Sequence, residues 1–252
     1  MIDIASKRLV EKLDSLVADG PPVLAFDADG TLWQGDVGDD FFDALIAGGL
    51  VLPSAQAAMA RELGIAGGEG DRPEQALFDA YHSGKFDEER FYECVAWAAA
   101  GRDRGAVLEV ARRVQAERKL PERLHAEIRP VLTWARARGA EVYVVSASPR
   151  LVVQEGARLL GLEPARVLGA EAVFEGERMM PAALRPIPYG AGKVVALRKH
   201  IGARPLLAAF GDNVFDVPMM KEAQLAVAVR PKPRLLAVKS EVPGLFGLEP
   251  TM

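Results

Sequence analysis

Two carboxylates two residues apart, Asp27 and Asp29 in FDADGTLW, follow directly on the apolar run 23–26. A second acidic pair, Asp212 and Asp216 in FGDNVFD, follows the apolar run 206–210 in the same way. If these runs are strands of one open α/β sheet, both pairs stand at its carboxyl edge, where such sheets bind ligands. Two carboxylates about 4 Å apart repel by roughly 4 kcal/mol at an effective dielectric near 20, so a cluster of four calls for a cation. An all-oxygen donor set of carboxylates, carbonyls and waters suits magnesium rather than zinc. Each residue also has an ordinary reading. Asp-Gly is a common turn dipeptide, Asp27, Asp29 or Asp212 serves equally as a turn or cap residue, and Asp216 fits the first turn of a helix through its dipole.

Two further residues fit a phosphate site at that edge. Ser146 closes the run 142–145 in VVSAS, where its hydroxyl and the following N–H groups suit phosphoryl oxygens; a helix cap or turn is the plain alternative. Lys193 follows Gly190-Ala191-Gly192 and opens a helical pattern, although an isolated lysine is most often a solvated one. GAGK is no Walker A loop, because Ile187 stands at the first required glycine and Val194 at the Ser/Thr position. His82, His125 and His200 show no metal-ligand spacing and read as structural.

The elements that must position these groups alternate along the chain. Runs 23–26, 142–145, 206–210 and 225–229 read as buried parallel strands, with helical patterns at 151–160 and 193–200 between them. That is an α/β doubly wound parallel sheet. Between the first two strands lie helical patterns near 39–47, 55–63, 74–82, 88–99, 106–118 and 122–138, with breakers such as Gly48-Gly49, Pro53, Gly67-Gly68, Pro73 and Pro121. The expected division is a core of 1–34 and 130–252 and an inserted helical cap of 35–129. Segment 167–180 is assigned a further strand or hairpin, and 1–20, with Ile2, Ile4, Leu9, Leu13 and Leu16, an amphipathic helix lacking the apolar block of a signal peptide. Half of the 252 residues are hydrophobic and the net charge is −4, which offers no basic field for nucleic acid or anionic membrane. No run approaches the roughly 18 apolar residues of a membrane span. The single cysteine, Cys94, excludes an intrachain disulfide framework and fits a cytoplasmic setting.

Taken together, DxDGT at 27–31, Ser146 ending a strand, Lys193 after its glycines and GDxxxD at 211–216, in this order, resemble the haloacid dehalogenase superfamily of phosphohydrolases. The match is to its phosphoserine-phosphatase-like branch and covers about 20–34 and 130–230; the cap agrees in position and helical character only. The resemblance implies that Asp27 attacks phosphorus to give an aspartyl-phosphate and that Asp29 exchanges protons with leaving group and water. It implies magnesium held by Asp27, Asp29 (through its backbone carbonyl), Asp212 and Asp216, and phosphoryl oxygens held by Thr31, Ser146 and Lys193. The acid at Asp29 separates this chain from the dehalogenases, which lack it, and from the cation-pumping ATPases, which carry lysine there.

The sequence also departs from that branch. Asp36 stands nine positions after Asp27, where the phosphoserine phosphatases use a glutamate for the substrate amine. The cap stretch expected to supply an arginine for the substrate carboxylate has only Arg90, about a turn early, and Phe215 replaces the asparagine before the last acid. Trp33, leaving the catalytic loop toward the cap, is a candidate for the pocket lining, whereas Trp97 and Trp134 fit core positions. The expectation is a hydrolase of a small phosphorylated metabolite. A phosphotransferase or mutase, and a non-catalytic magnesium- or phosphate-binding module, are the alternatives.

Overall fold

The computed structural model describes residues 1–16, 20–66 and 70–251; Gly67-Gly68, read as a breaker, lies outside them. In chain order the elements begin with β1 (Ile2–Ile4), α1 (Ser6–Leu16) and β2 (Val23–Phe26). A helical series follows: α2 (Val37–Ala47), α3 (Pro53–Leu63), α4 (Pro73–His82), α5 (Glu88–Ala96), α6 (Arg104–Glu117) and α7 (Arg129–Ala137). Next come β3 (Glu141–Pro149), α8 (Arg150–Arg158), β4 (Val167–Ala170), β5 (Ala172–Glu175), β6 (Arg178–Ala183) and α9 (Ala191–Ile201). The chain closes through β7 (Leu206–Gly211), α10 (Val217–Lys221), β8 (Ala223–Val229), α11 (Pro233–Ala237) and β9 (Phe246–Leu248).

Seven strands form one parallel sheet in the order β1-β9-β8-β7-β2-β3-β4, and β5 and β6 make a separate antiparallel hairpin. The chain leaves β2 toward β3 and β4 on one side and later fills β7, β8 and β9 on the other, so β2 sits at the topological switch point. Helices cover both faces, which is why the strands read as continuous apolar runs rather than alternating ones. Leu24 and Phe26 join the cluster that takes in α1, α7, α8 and the helical insertion, with Phe26 stacked on Phe210 at 4.0 Å. Val23 and Ala25 join the opposite cluster, under Leu197 and Ile201 of α9 and Met219 and Met220 of α10. The insertion does not bury its apolar residues alone: Phe41, Phe42, Met59, Leu77 and Phe91 belong to the same cluster as Phe26 and Val144. No helix among the described residues is long and apolar enough to cross a membrane.

Three expectations change. Residues 1–20 are not one helix: Ile2–Ile4 pairs in parallel with Phe246–Leu248 as an edge strand, and the helix starts at Ser6. The pattern 122–138 is broken, with 3-10 turns at Leu120–Arg123 and Ala126–Ile128 before α7. Pro130 lacks an N–H and is accommodated in the first turn of α7, which fixes the helix start there. The helical pattern 88–99 stops at Ala96. Segment 167–180 does hold strands, the edge strand β4 and most of the hairpin.

Candidate active site

The loop after β2 carries the first acidic pair. Asp27 is held at the strand end by its N–H donating to Phe210 O at 2.9 Å, while Gly30 turns the chain at φ +86 and donates to Trp33 O at 2.8 Å. Glycine is required there, because a Cβ on residue 30 would lie 2.1 Å from Asp212 Oδ2. Asp212 and Asp216 arrive from the end of β7, and the 3-10 turn between them is capped by Asn213. Asp216 Oδ2 accepts from the backbone N–H groups of Asp212 (3.0 Å) and Asn213 (2.9 Å). One carboxylate oxygen each of Asp27, Asp212 and Asp216 lies within 4.8 Å of the others, and all three residues are buried.

Lys193 sits among them. Its ammonium donates to Asp27 Oδ1 at 2.5 Å and to Asp216 Oδ1 at 2.6 Å, and its side chain is 4% exposed, so the solvated-lysine reading is excluded. Gly192 lets the first turn of α9 close against the loop that leads into it, since a Cβ there would meet Ile187 O at 2.0 Å. Thr31 is buried and donates its hydroxyl to Asp27 Oδ2 at 3.1 Å. Lys232, not anticipated from sequence, brings its ammonium to 2.8 Å from Asp212 Oδ2. That buried oxygen still receives no well-directed hydrogen bond. An under-satisfied carboxylate oxygen in a cluster of three fits a hard cation, with Asp27, Asp212 and Asp216 as its side-chain ligands.

Asp29 shares the cleft, but its carboxylate is outside the cluster and engaged elsewhere. Oδ1 accepts from Trp33 Nε1 (2.7 Å) and Val37 N (2.8 Å), and Oδ2 from Ser148 Oγ (2.7 Å) and, more distantly, Ser146 Oγ (3.4 Å). The side chain of Asp29 therefore stands apart from the acidic cluster, and the metal role expected of Asp29 concerns its backbone carbonyl. Burial, with Asp36 nearby, pushes Asp29 up to about 7 against the hydrogen bonds from Val37, Ser148 and Trp33. Burial likewise raises Asp27 and Asp212 to about 7; Lys193 opposes the rise at Asp27, and Lys232 opposes it at Asp212. Burial works against the Lys193 ammonium, yet Asp216 and Asp27 outweigh it and hold its pKa above the ordinary lysine value.

The remaining candidates divide. Ser146 is buried, lines the cleft and accepts from Ser148 N at 3.1 Å. Ser148, missed in the sequence, lies two residues on in the same strand and so on the same face. That period-two spacing in VVSAS was its signal. Trp33 does not line the cleft: it is fully buried, packs near Gly156 and Leu120, and uses its indole to hold Asp29. Arg90 is also corrected, because Glu62 and Glu93 take its guanidinium and it does not line the cleft. Asp36 does line it, but as the N-cap of α2 it accepts from Asp39 N at 2.9 Å, and its other oxygen accepts from Tyr92 OH at 3.1 Å. Burial pushes it up to about 6. His125 lies against Thr31 O, His82 near Asp39 and His200 against Ala196 O, all apart from the cluster.

The cleft measures about 420 Å³ counted out to its open mouth. A larger cavity of about 680 Å³ by the same measure, lined by residues such as Phe41, Arg104, Arg150 and Phe174, shares no residue with it and touches none of the acidic cluster.

Residues 24–221 match the family described as haloacid dehalogenase-like hydrolase. No curated protein matches the chain. Among solved structures, a Bordetella pertussis Tohama I protein of unknown function is similar at TM-score 0.72 and 19% identity, with 91% of this chain and 99% of that one covered. A functionally unknown Anaerococcus prevotii protein is similar at TM-score 0.71 and 14% identity, covering 96% and 91%. A substrate-bound phosphoserine phosphatase is similar at TM-score 0.52 and 16% identity, covering 91% and 94%. At these identities the likeness is one of fold.

Proposed function

The chain belongs to the haloacid dehalogenase-like hydrolases, and within that family we propose that it is a magnesium-dependent phosphatase acting on small phosphomonoesters through Asp27. The observation that carries this reading is the separation of roles between two neighbouring carboxylates. Asp27 belongs to the cation cluster, while Asp29 stands outside it, fixed by four hydrogen bonds, with a pKa near neutrality. A binding module needs the first carboxylate only. An acid that must give a proton in one step and take one in the next needs the second.

In this mechanism an oxygen of Asp27 attacks phosphorus, and the bond from phosphorus to the ester oxygen breaks as Asp29 protonates the departing alkoxide. Asp29, now ionised, takes a proton from water attacking the phosphorus of the aspartyl-phosphate. The bond from phosphorus to Asp27 then breaks, releasing phosphate. Ser146 holds a phosphoryl oxygen, and Lys193 and Thr31 orient Asp27 and offset charge as it moves. Magnesium, held by Asp27, Asp212 and Asp216, would supply a fixed positive charge against the phosphoryl oxygens. The helices of 35–129 bring Asp36, Glu88 and Tyr92 to the cleft, and in this reading they serve as a cap over it that favours compact esters. A lone, buried Cys94 is in keeping with a cytoplasmic setting.

The test pairs two variants. Asp27→Asn abolishes turnover, whereas Asp29→Asn abolishes turnover but keeps magnesium affinity, by calorimetry, within about tenfold, or roughly 1.4 kcal/mol. Turnover above a few per cent in Asp27→Asn, with deamidation excluded, or loss of magnesium binding in Asp29→Asn, contradicts the assignment.

A further inference from the structure

The cavity of about 680 Å³ falls in the size range of small-molecule sites, and the phosphoryl chemistry uses none of it. Its walls come from two parts of the chain. Phe41 of α2 and Val107 of α6 line it together with Leu151 of α8, Phe174 of β5 and Met179 of β6. Three charged residues stand among these apolar groups, Arg104, Arg150 and Glu171, so the lining carries one positive charge in excess.

Both guanidinium groups have donors to spare. A terminal nitrogen of Arg150 donates to Glu171 Oε1, but its Nε is buried and has no acceptor among the described residues. A buried N–H without an acceptor is destabilising, and a ligand oxygen that reaches it removes that cost. The backbone of Arg150 is fixed, since β4 passes so close that a Cβ on Gly169 would lie 2.5 Å from Arg150 Cα. Arg104 has its guanidinium carbon 4.3 Å from the centroid of the Phe174 ring and forms no ion pair among the described residues. Contact with a ring uses the face of a guanidinium and leaves the N–H donors in its plane free.

Such donors beside apolar walls suit a flat, singly charged acceptor on an apolar body. A guanidinium fork pairs with a carboxylate through two parallel hydrogen bonds, while Glu171 in the lining repels a doubly charged group. We infer that this cavity is a ligand site separate from the catalytic cleft, and that it takes a small organic monocarboxylate with an aromatic or aliphatic body, held by Arg104 and Arg150.

The experiment is calorimetric titration of the full chain with two matched pairs, phenylacetate against phenylacetamide and hexanoate against hexanamide, in which an uncharged amide replaces the carboxylate. Chelator is present, so that no carboxylate binds through magnesium at the acidic cluster. Wild type is compared with Arg104→Gln, at an exposed position, and with Arg150→Lys, which keeps the charge beside Glu171 but removes Nε. The expected result is a preference of at least about tenfold, or roughly 1.4 kcal/mol, for the carboxylate of one pair, falling at least about threefold in each variant. Each result is a ratio within one protein, so partial unfolding of a variant cancels. No carboxylate binding up to about 5 mM, a preference below about tenfold in both pairs, or a smaller fall in either variant would overturn the inference. Binding is the only readout, so that failure leaves the phosphatase reading standing, and a chain without phosphatase activity leaves this site standing.

Discussion

Lys193→Met isolates what one buried cation does for the acidic cluster. The wild-type ammonium lies 2.5 Å from Asp27 and 2.6 Å from Asp216, and all of these groups are withdrawn from water. Removing one partner of such a buried pair costs about 3–5 kcal/mol, because the carboxylates are left uncompensated. At about 2–4 °C per kcal/mol for a chain of this size, the metal-free variant should melt roughly 6–20 °C below wild type near pH 8. The deficit has a ceiling, since protonating Asp27 or Asp212 relieves the repulsion, so it should shrink as pH is lowered toward 5.5. Magnesium should shrink it as well, because without the competing ammonium the variant should bind the cation more tightly than wild type, each tenfold gain in affinity returning about 1.4 kcal/mol. Thermal unfolding followed by circular dichroism, with chelator and with magnesium, measures both effects. A metal-free loss below about 3 °C at pH 8, or a deficit that magnesium leaves untouched, would refute the view that Lys193 neutralises a cation site.

Trp33→Phe removes the indole bond to Asp29, a hydrogen bond to a charged group worth about 1.5–3 kcal/mol. The expected outcome is a kcat lower by roughly 10- to 150-fold with magnesium affinity by calorimetry unchanged. Gly30→Ala places a Cβ against Asp212 at a φ that favours glycine, so magnesium binding should fall at least about tenfold, and unchanged affinity would contradict the packing described. The raised pKa values of Asp27 and Asp212 give a stability contribution that is fully present below their unfolded value of 3.8 and lost as pH rises through about 7. The melting shift produced by magnesium should therefore grow from about pH 5.5 to 8, as protons cease to compete for the ligands. A shift that stays flat or falls with pH would count against it.

Residues Asp27, Asp29, Ser146, Lys193, Asp212 and Asp216 were legible because local rules produce them. A run apolar on both faces announces a buried strand, and the polar residue that ends it must lie at the sheet edge. Those rules located β2, β3, β7 and β8 and brought two acidic pairs to one place. They do not reach β1 and β9, whose three residues each carry no period of their own and are strands because they pair with each other. Nor do they fix where a side chain points. Trp33 turns inward to Asp29 because Gly30 folds the loop back on itself, and Arg90 is lost to the substrate because two glutamates from the helical insertion reach it first. Asp36 is decided jointly: its place before a helix makes it a cap, and only the packing of α5 against α2 gives it Tyr92 and a position in the cleft. Sequence determined which groups stand at the edge of the sheet, since that depends on strand ends alone. The tertiary structure decided their surroundings, because only folding brings Asp212 and Asp216 of the β7 end against Asp27, and Ser146 and Ser148 of β3 against Asp29, which Trp33 and Val37 also hold.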